Sequence, residues 1–228
     1  KAPYSVFTRD EDRIEPLNVD PRHMNQGWVE AMDQAAQAAV GPMQKQIERL
    51  FAARSRSVRV PGFRSGRIHA ASLHRLPHGD DRIFSRKEVT KTKETAVTLL
   101  VDNSGSMSEY NRIKVAMESA YALAQVLERV NVPCEVLGFT TGNLSQNAMR
   151  ELQEEMRKTN SGFSRMSTIV MPVYKDFNER LTPTVKQRMA FMINRQPGMN
   201  TNVDGESLEY AAQRLIPVSY THLRAHET

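Results

Sequence analysis

The sequence predicts an α/β fold, a Rossmann-like sheet flanked by helices, on three observations. The run at residues 96–101 is apolar enough to be a strand covered on both faces. Further apolar runs alternate with segments whose apolar residues recur at helical spacing. Such alternation favours a mostly parallel sheet with right-handed crossovers. With 228 residues, the chain is long enough for one domain at 95–216 and an extension before it.

The extension, residues 1–94, is predicted to be helical and then basic. Residues 25–54 have a stripe of apolar side chains spaced as on one helix face, namely Met43, Ile47, Leu50 and Phe51. Gly41 and Pro42 interrupt the pattern, so we expect two helices or a kink there. The stripe is explained either by packing on the chain's own domain or by a contact with another subunit.

A linker-like stretch, residues 54–94, carries the excess positive charge of the chain. The whole sequence has 31 Lys and Arg against 26 Asp and Glu, and this stretch alone has eleven basic and four acidic residues. Such a surface is a solvated face, a contact for an acidic protein or a nucleic-acid site. The scarcity of aromatic residues ranks nucleic acid last. His69, His74 and His78 match no zinc spacing.

The strongest functional signal follows the apolar strand. Asp102, Ser104 and Ser106 place three oxygen-bearing side chains at alternate positions, where an open α/β sheet binds its ligands. One carboxylate and two hydroxyls are hard donors and too few for an octahedron, so we expect Mg²⁺, or another hard divalent cation, that keeps several waters. The simpler alternative is a polar turn in which Ser104 or Ser106 caps the next helix.

The elements downstream of this motif are predicted from apolar spacing. We expect a helix at 111–130, a strand at 135–139, a partly helical segment at 147–158, an apolar strand at 168–174, and helices at 183–194 and 204–215. The lone Cys134 is expected to be buried and structural. One thiol favours a reducing compartment, and no apolar stretch has membrane-spanning length, so we expect a cytoplasmic protein without a membrane anchor.

The last residues, 217–228, are predicted to be foreign to the fold. They match the translation of a transposase-type sequencing adapter, and we exclude them as we would a cloning scar. We expect the natural protein to continue after Ile216, and the sheet to be truncated after its third strand region. The strand that ends at Asp102 should then lie at a sheet edge, because its second neighbour would come later in the chain.

The motif and a second loop resemble the von Willebrand factor type A (VWA) family and its metal-ion-dependent adhesion site. Asp-Asn-Ser-Gly-Ser at 102–106 is similar to that family's Asp-x-Ser-x-Ser, and Gly-Met-Asn-Thr-Asn at 198–202 is similar to its Gly-x-x-Thr-Asn segment. The resemblance adds Thr201 to the three metal ligands and implies an aspartate from a third loop, expected after Ile216. Asp204 is either an outer-shell acceptor or, as we prefer, a carboxylate that favours a helix dipole.

Other motifs resemble the CobT-type subunits of aerobic cobaltochelatase. These are the motif at 102–107, Gly-Phe-Thr-Thr at 138–141 and Asn-Val-Asp-Gly-Glu at 202–206. The resemblance implies a non-catalytic subunit of a hetero-oligomeric ligase-type complex. Its partners would be an AAA+ ATPase subunit and a large chelatase subunit, and the complex would insert cobalt into a corrin precursor during cobalamin biosynthesis.

The residues agree with a non-catalytic role. The sequence has no phosphate-binding Gly-x-x-x-x-Gly-Lys loop and no nucleophile with a matching base. A rival interpretation from another class is a stand-alone metal-dependent binding protein of the VWA type, for instance from a virus or mobile element. A nucleic-acid-associated protein that uses residues 54–93 ranks third.

Overall fold

The computed structural model describes residues 9–54, 57–89, 95–159 and 165–224. The chain forms two compact units, one made of residues 1–44 and 95–228 and the other of residues 45–94. The first unit contains the predicted α/β domain, and the second contains most of the basic stretch. Among the described residues, no helix combines the length and apolar character that crossing a membrane requires.

The first unit is a mixed sheet flanked by helices, which confirms the predicted α/β class. Its strands are β1 (Arg13–Pro16), β5 (Val97–Asp102), β6 (Cys134–Asn143) and β7 (Ser167–Lys175), in the spatial order β1-β7-β6-β5. The strand that ends at Asp102 lies at an edge of the described sheet, as predicted. The sequence did not predict β1, which brings part of the extension into the sheet beside β7.

The expectation of a mostly parallel sheet needs a correction at β7. β5 pairs with β6 and β1 with β7 in parallel, whereas β6 and β7 are antiparallel. The intervening helix α3 (Gln146–Thr159) is largely exposed and does not carry the chain across the sheet. The chain therefore re-enters where it left, with Ser167 opposite Asn143, and an antiparallel pair results.

The remaining helices of this unit are α2 (Arg112–Arg129), α4 (Pro183–Arg195) and α5 (Asp204–Arg224). The buried face of α2 has the predicted helical spacing, with Ile113, Met117, Ala120, Ala124 and Leu127 in the core. Ala211 of α5 packs on a cluster formed by alternate residues of β6 and β7. α5 also continues beyond its predicted end at Leu215, through Pro217 to Arg224; residues 225–228 lie outside the described part.

The first helix, α1 (Gln26–Arg54), is continuous, so the expectation of two helices is wrong. A residue before proline is normally pushed out of the helical region because its Cβ meets the proline ring. Gly41 has no Cβ, so the helix can pass through Pro42. The core side chains of α1 are Val29, Met32, Ala36 and Val40.

The predicted apolar stripe of α1 is not a core stripe. Met43 and Ile47 are half-buried and Leu50 is exposed, while the side chain of Phe51 lies outside the described part. Asp33 fixes the first half of the helix instead, because its carboxylate accepts hydrogen bonds from Tyr121 of α2 and Lys186 of α4. Sequence spacing alone could not show which half of α1 is packed.

The second unit is a small antiparallel sheet, not the linker that the composition indicated. Its strands β2 (Ser57–Phe63), β3 (Arg67–Ile68) and β4 (Phe84–Val89) lie in the order β2-β4-β3, and a 3₁₀ helix covers Ala70–His78. The alternation of Val58 and Val60 with arginine is a period-two signal that the charge of the stretch obscured.

Candidate functional site

The first loop of the candidate site begins where β5 ends. The N–H of Ser104 donates to Asp102 Oδ1 at 2.8 Å, which fixes the carboxylate in the turn. The hydroxyl oxygens of Ser104 and Ser106 lie 3.1 Å apart. Ser104 is buried, Asp102 is half-buried and Ser106 is exposed, so the three side chains lead from the interior to solvent. Ser104 makes no side-chain cap at the adjoining 3₁₀ helix (Gly105–Asn111), and the N-cap of α2 is Asn111 rather than either serine, so the alternative of a capping turn loses support.

The second loop, which contains Thr201, is bonded directly to the first. Ser104 and Asn200 form a parallel β-bridge, and the Gly105 N–H donates to the Asn200 carbonyl at 2.5 Å. About one hundred residues of sequence separate the two predicted halves of the site. The fold thus brings the loop of Asp102, Ser104 and Ser106 next to the loop of Thr201.

Two threonines at the carboxyl end of β6 support the second loop. Thr141 Oγ1 and Thr201 Oγ1 are 2.7 Å apart, and the Asn200 N–H donates to Thr140 Oγ1 at 3.0 Å. The Asn200 side-chain amide donates to the Thr141 carbonyl at 2.8 Å. The sequence analysis used Thr140 and Thr141 only as part of a family motif. Their place at the end of the strand next to β5 was the signal that could have given them this role.

A buried polar pair lies beneath the first loop. Asn103 is only 1% exposed, and its Nδ2 donates to the hydroxyl of the buried Tyr174 at 2.5 Å. Burial raises the pKa of Tyr174 well above its ordinary value, so this hydroxyl keeps its proton. A Cβ at position 138 would collide with the Asn103 amide, which explains the glycine there. The first loop is therefore anchored to the sheet by the buried hydrogen bond between Asn103 and Tyr174.

The donor set fits a hard divalent cation. The Ser104 and Ser106 hydroxyls are hydrogen-bonded to each other at 3.1 Å, a separation also close to the roughly 3.0 Å between neighbouring ligands on an octahedral Mg²⁺ with bonds of about 2.1 Å. In the described part of the chain, no three His, Cys, Asp or Glu side chains gather as a metal cluster. A cation here would thus be held by hydroxyls, one carboxylate and water, a set that favours Mg²⁺ over softer metals.

Asp204 occupies the first position of α5, where Glu206 also lies in the first turn. This placement agrees with the preferred role as a carboxylate at the positive end of the helix dipole. The alternative, an outer-shell contact to the cation, stays a prediction.

The thiol of Cys134 is buried and is not suited to a reactive role. It is 1% exposed at the start of β6, and burial raises the pKa of its thiol. A thiol held in its protonated form is a poor nucleophile. The prediction of a buried, structural cysteine is confirmed.

The family of the chain follows from its sequence as well as its fold. Residues 83–219 match the family model of the VWA domain of cobalamin biosynthesis protein CobT. The matched region covers β5, both loops of the candidate site and the helices that follow them. Since it covers more than half of the sequence, the chain belongs to the family of CobT VWA domains.

Proposed function

We propose that this chain is a non-catalytic, Mg²⁺-dependent interaction subunit of a cytoplasmic, ATP-dependent cobaltochelatase-like complex. The complex would insert cobalt into a corrin precursor, with an AAA+ ATPase subunit and a large chelatase subunit as its other parts. Membership of the CobT VWA family supports the pathway, and the geometry of the two loops supports the metal dependence.

The observation that carries the proposal is the direct bonding of the two loops. The bridge between Ser104 and Asn200 joins loops that the sequence separates widely, and these loops hold all four proposed ligands: Asp102, Ser104, Ser106 and Thr201. A polar turn that only caps a helix would not need a second loop beside it. The assembly of both loops is what a shared cation site requires.

The proposed chemistry is contact, not catalysis. When bound, Mg²⁺ would supply a positive charge and an exchangeable coordination position that accepts a carboxylate from a partner. Asp102 balances part of that charge, and the neutral hydroxyls leave the site net positive toward an incoming acid. Partial dehydration at an interface strengthens such an attraction.

An Asp102→Ala variant should lose metal-dependent capture of the ATPase subunit. We expect the wild-type chain to retain the ATPase subunit in Mg²⁺ and to release it in EDTA, because EDTA removes the cation that bridges the two proteins. The variant lacks the carboxylate that holds this cation. The variant should bind in Mg²⁺ only as weakly as the wild type binds in EDTA. Pull-down with quantified ATPase subunit measures both, and circular dichroism checks that the fold is intact.

Asp20→Ala is the matched control, because it removes an aspartate that is half-buried like Asp102 but pairs with Arg22 in a different 3₁₀ turn. It should capture the ATPase subunit as the wild type does. Equal capture by Asp102→Ala and wild type in Mg²⁺ would contradict the metal-bridged contact. If the wild type captures neither chelatase subunit, the stand-alone binding protein becomes the better interpretation.

A further inference from the structure

A tyrosine beside the first loop is exposed to an unusual degree. Tyr110 lies near the end of the 3₁₀ helix that begins at Gly105, and the residue is 85% exposed. An aromatic ring gains free energy from burial, so a lone ring held in solvent next to a binding loop is typical of a contact surface. None of the four proposed metal ligands accounts for it.

The backbone at this tyrosine is strained. Tyr110 and Asn111 both have left-handed backbone angles, with φ of 52° and 58°. Asparagine tolerates this region, but a bulky residue such as Tyr110 is an outlier there and persists only where something other than local stability maintains it. Glycine would adopt the same backbone at no steric cost. The turn itself therefore does not require a tyrosine at this position.

An arginine links the ring to the proposed metal loop. The Arg112 guanidinium lies over the Tyr110 ring at 5.4 Å, and its Nη1 donates to the Ser106 carbonyl at 3.2 Å. One helical turn further along the same face of α2, Val115 is 60% exposed. Tyr110, Arg112 and Val115 form what we term the α2 platform: a ring, a cation and an apolar side chain beside the first loop.

We propose that the α2 platform binds the residues of the partner protein that flank the carboxylate bound at the metal site. The ligand is an acidic segment of the partner protein, in which a second carboxylate pairs with Arg112 and an adjacent apolar side chain packs on Tyr110 and Val115. This inference rests on the proposed function, and it adds what the metal site alone cannot supply, namely discrimination among carboxylates.

The test compares variants of the full chain for affinity toward the purified ATPase subunit, in Mg²⁺ and in EDTA. Tyr110→Gly removes the ring and the backbone strain together, so we expect a melting temperature equal to or above that of the wild type. Its dissociation constant should nevertheless rise about tenfold or more, the scale of an aromatic anchor. A residue with a merely structural role would not give a variant that is at least as stable but binds less well.

Three further variants complete the test. Tyr110→Phe keeps the ring and should bind within about threefold of the wild type, while Arg112→Gln should weaken binding about tenfold. Arg22→Gln, the control, removes an exposed arginine that pairs with Asp20 elsewhere and should bind as the wild type does. Mg²⁺ affinity of Tyr110→Gly should be unchanged, which separates the platform from the metal site.

Wild-type affinity in Tyr110→Gly would overturn the platform while leaving the metal contact standing. If wild-type binding is the same in Mg²⁺ and EDTA but Tyr110→Gly still weakens it, the proposed metal dependence is contradicted and the α2 platform is supported. Absence of any binding by the wild type would overturn both.

Discussion

Replacing Asp12 with alanine is expected to lower the free energy of unfolding by about 3–5 kcal/mol, the cost of breaking a buried ion pair. The side chains of Asp12 and Arg165 are 5% and 6% exposed, and they form a two-pronged pair at 2.8 and 2.9 Å. Without Asp12, the carboxylate contact that remains to the buried guanidinium among the described residues is the longer one to Glu206, whose Oε1 lies 3.6 Å from Arg165 Nε. A loss of this size is a large part of the stability of an ordinary domain.

The same carboxylate also connects three parts of the fold. It accepts from the Ile169 N–H of β7 and from the Tyr210 hydroxyl of α5, both at 2.8 Å, and it directly precedes β1. Burial, helped by the neighbouring Asp12 charge, raises the pKa of Tyr210 to about 12, so its hydroxyl remains a donor at all ordinary pH values. The variant should therefore weaken the attachment of β1, which keeps its backbone pairing with β7, in addition to losing the ion pair.

Urea denaturation followed by circular dichroism measures this effect. Asp20→Ala is the matched control, because Asp20 also forms a two-pronged pair with an arginine, but the Asp20 and Arg22 side chains are 36% and 85% exposed. Solvent screening leaves such pairs with little effect on stability, and the control should unfold close to the wild type. Similar urea midpoints for the two variants would show that the buried pair of Asp12 and Arg165 does not stabilise the fold more than a surface pair does.

Arg214→Ala is expected to cost about 3 kcal/mol at neutral pH, the low end for a buried pair because the Arg214 side chain keeps 29% exposure. Its partner Glu135 is fully buried in β6, with Oε1 2.7 Å from Arg214 Nε. Arg214 Nη2 also donates to Asp176 at 2.9 Å, so one arginine serves two carboxylates. Removing it leaves the buried carboxylate without its ion-pair partner, and among the described residues only the charge of Lys175 still favours the ionised form of Glu135.

The cost of Arg214→Ala should depend on pH. Burial already raises the pKa of Glu135 above its ordinary value, despite the arginine beside it. A carboxyl group whose pKa is raised in the folded state supports folding fully below its unfolded pKa, and this support is lost as pH rises through the folded value. Loss of Arg214 raises the folded pKa further, because the charged form loses its partner.

The stability difference between Arg214→Ala and the wild type should therefore be small near pH 4, where Glu135 is protonated, and largest near pH 7. Urea denaturation at both pH values measures it. Arg9→Ala, which removes an exposed partner of Glu209 on the same helix α5, controls for loss of surface charge and should show no such trend. Equal costs at the two pH values would mean that Glu135 does not carry the effect.

The elements of the α/β domain could be predicted because their signals are local. The bounds of α2 and α4 follow from the spacing of apolar residues, and β5 follows from its continuous apolar run. The bond between the two loops was implied only by the family resemblance. No local pattern states that Asn200 will meet Ser104, because that contact depends on strand order.

The features that the sequence did not show depend on distant partners. Asp12 and Arg165 lie in polar stretches that look solvated, and only the pairing of β1 with β7 buries them together. The antiparallel direction of β7 relative to β6 depends on the position at which the chain leaves α3, and the spacing of apolar residues does not predict that position. The sequence predicts a helix from residue 111, whereas Tyr110 and Asn111 have left-handed backbone angles that only the folded turn shows.

Metal binding by the chain itself is the most direct test of the central claim, that Asp102, Ser104, Ser106 and Thr201 form one cation site. Electron paramagnetic resonance of Mn²⁺, with Mg²⁺ as competitor, should show a single site in the wild type. Thr201→Ala should weaken it about tenfold or more, the scale of a lost metal contact, while the exposed Thr184→Ala on α4 should not. Wild-type affinity in Thr201→Ala, or a wild-type chain that binds no Mn²⁺, would contradict the claim.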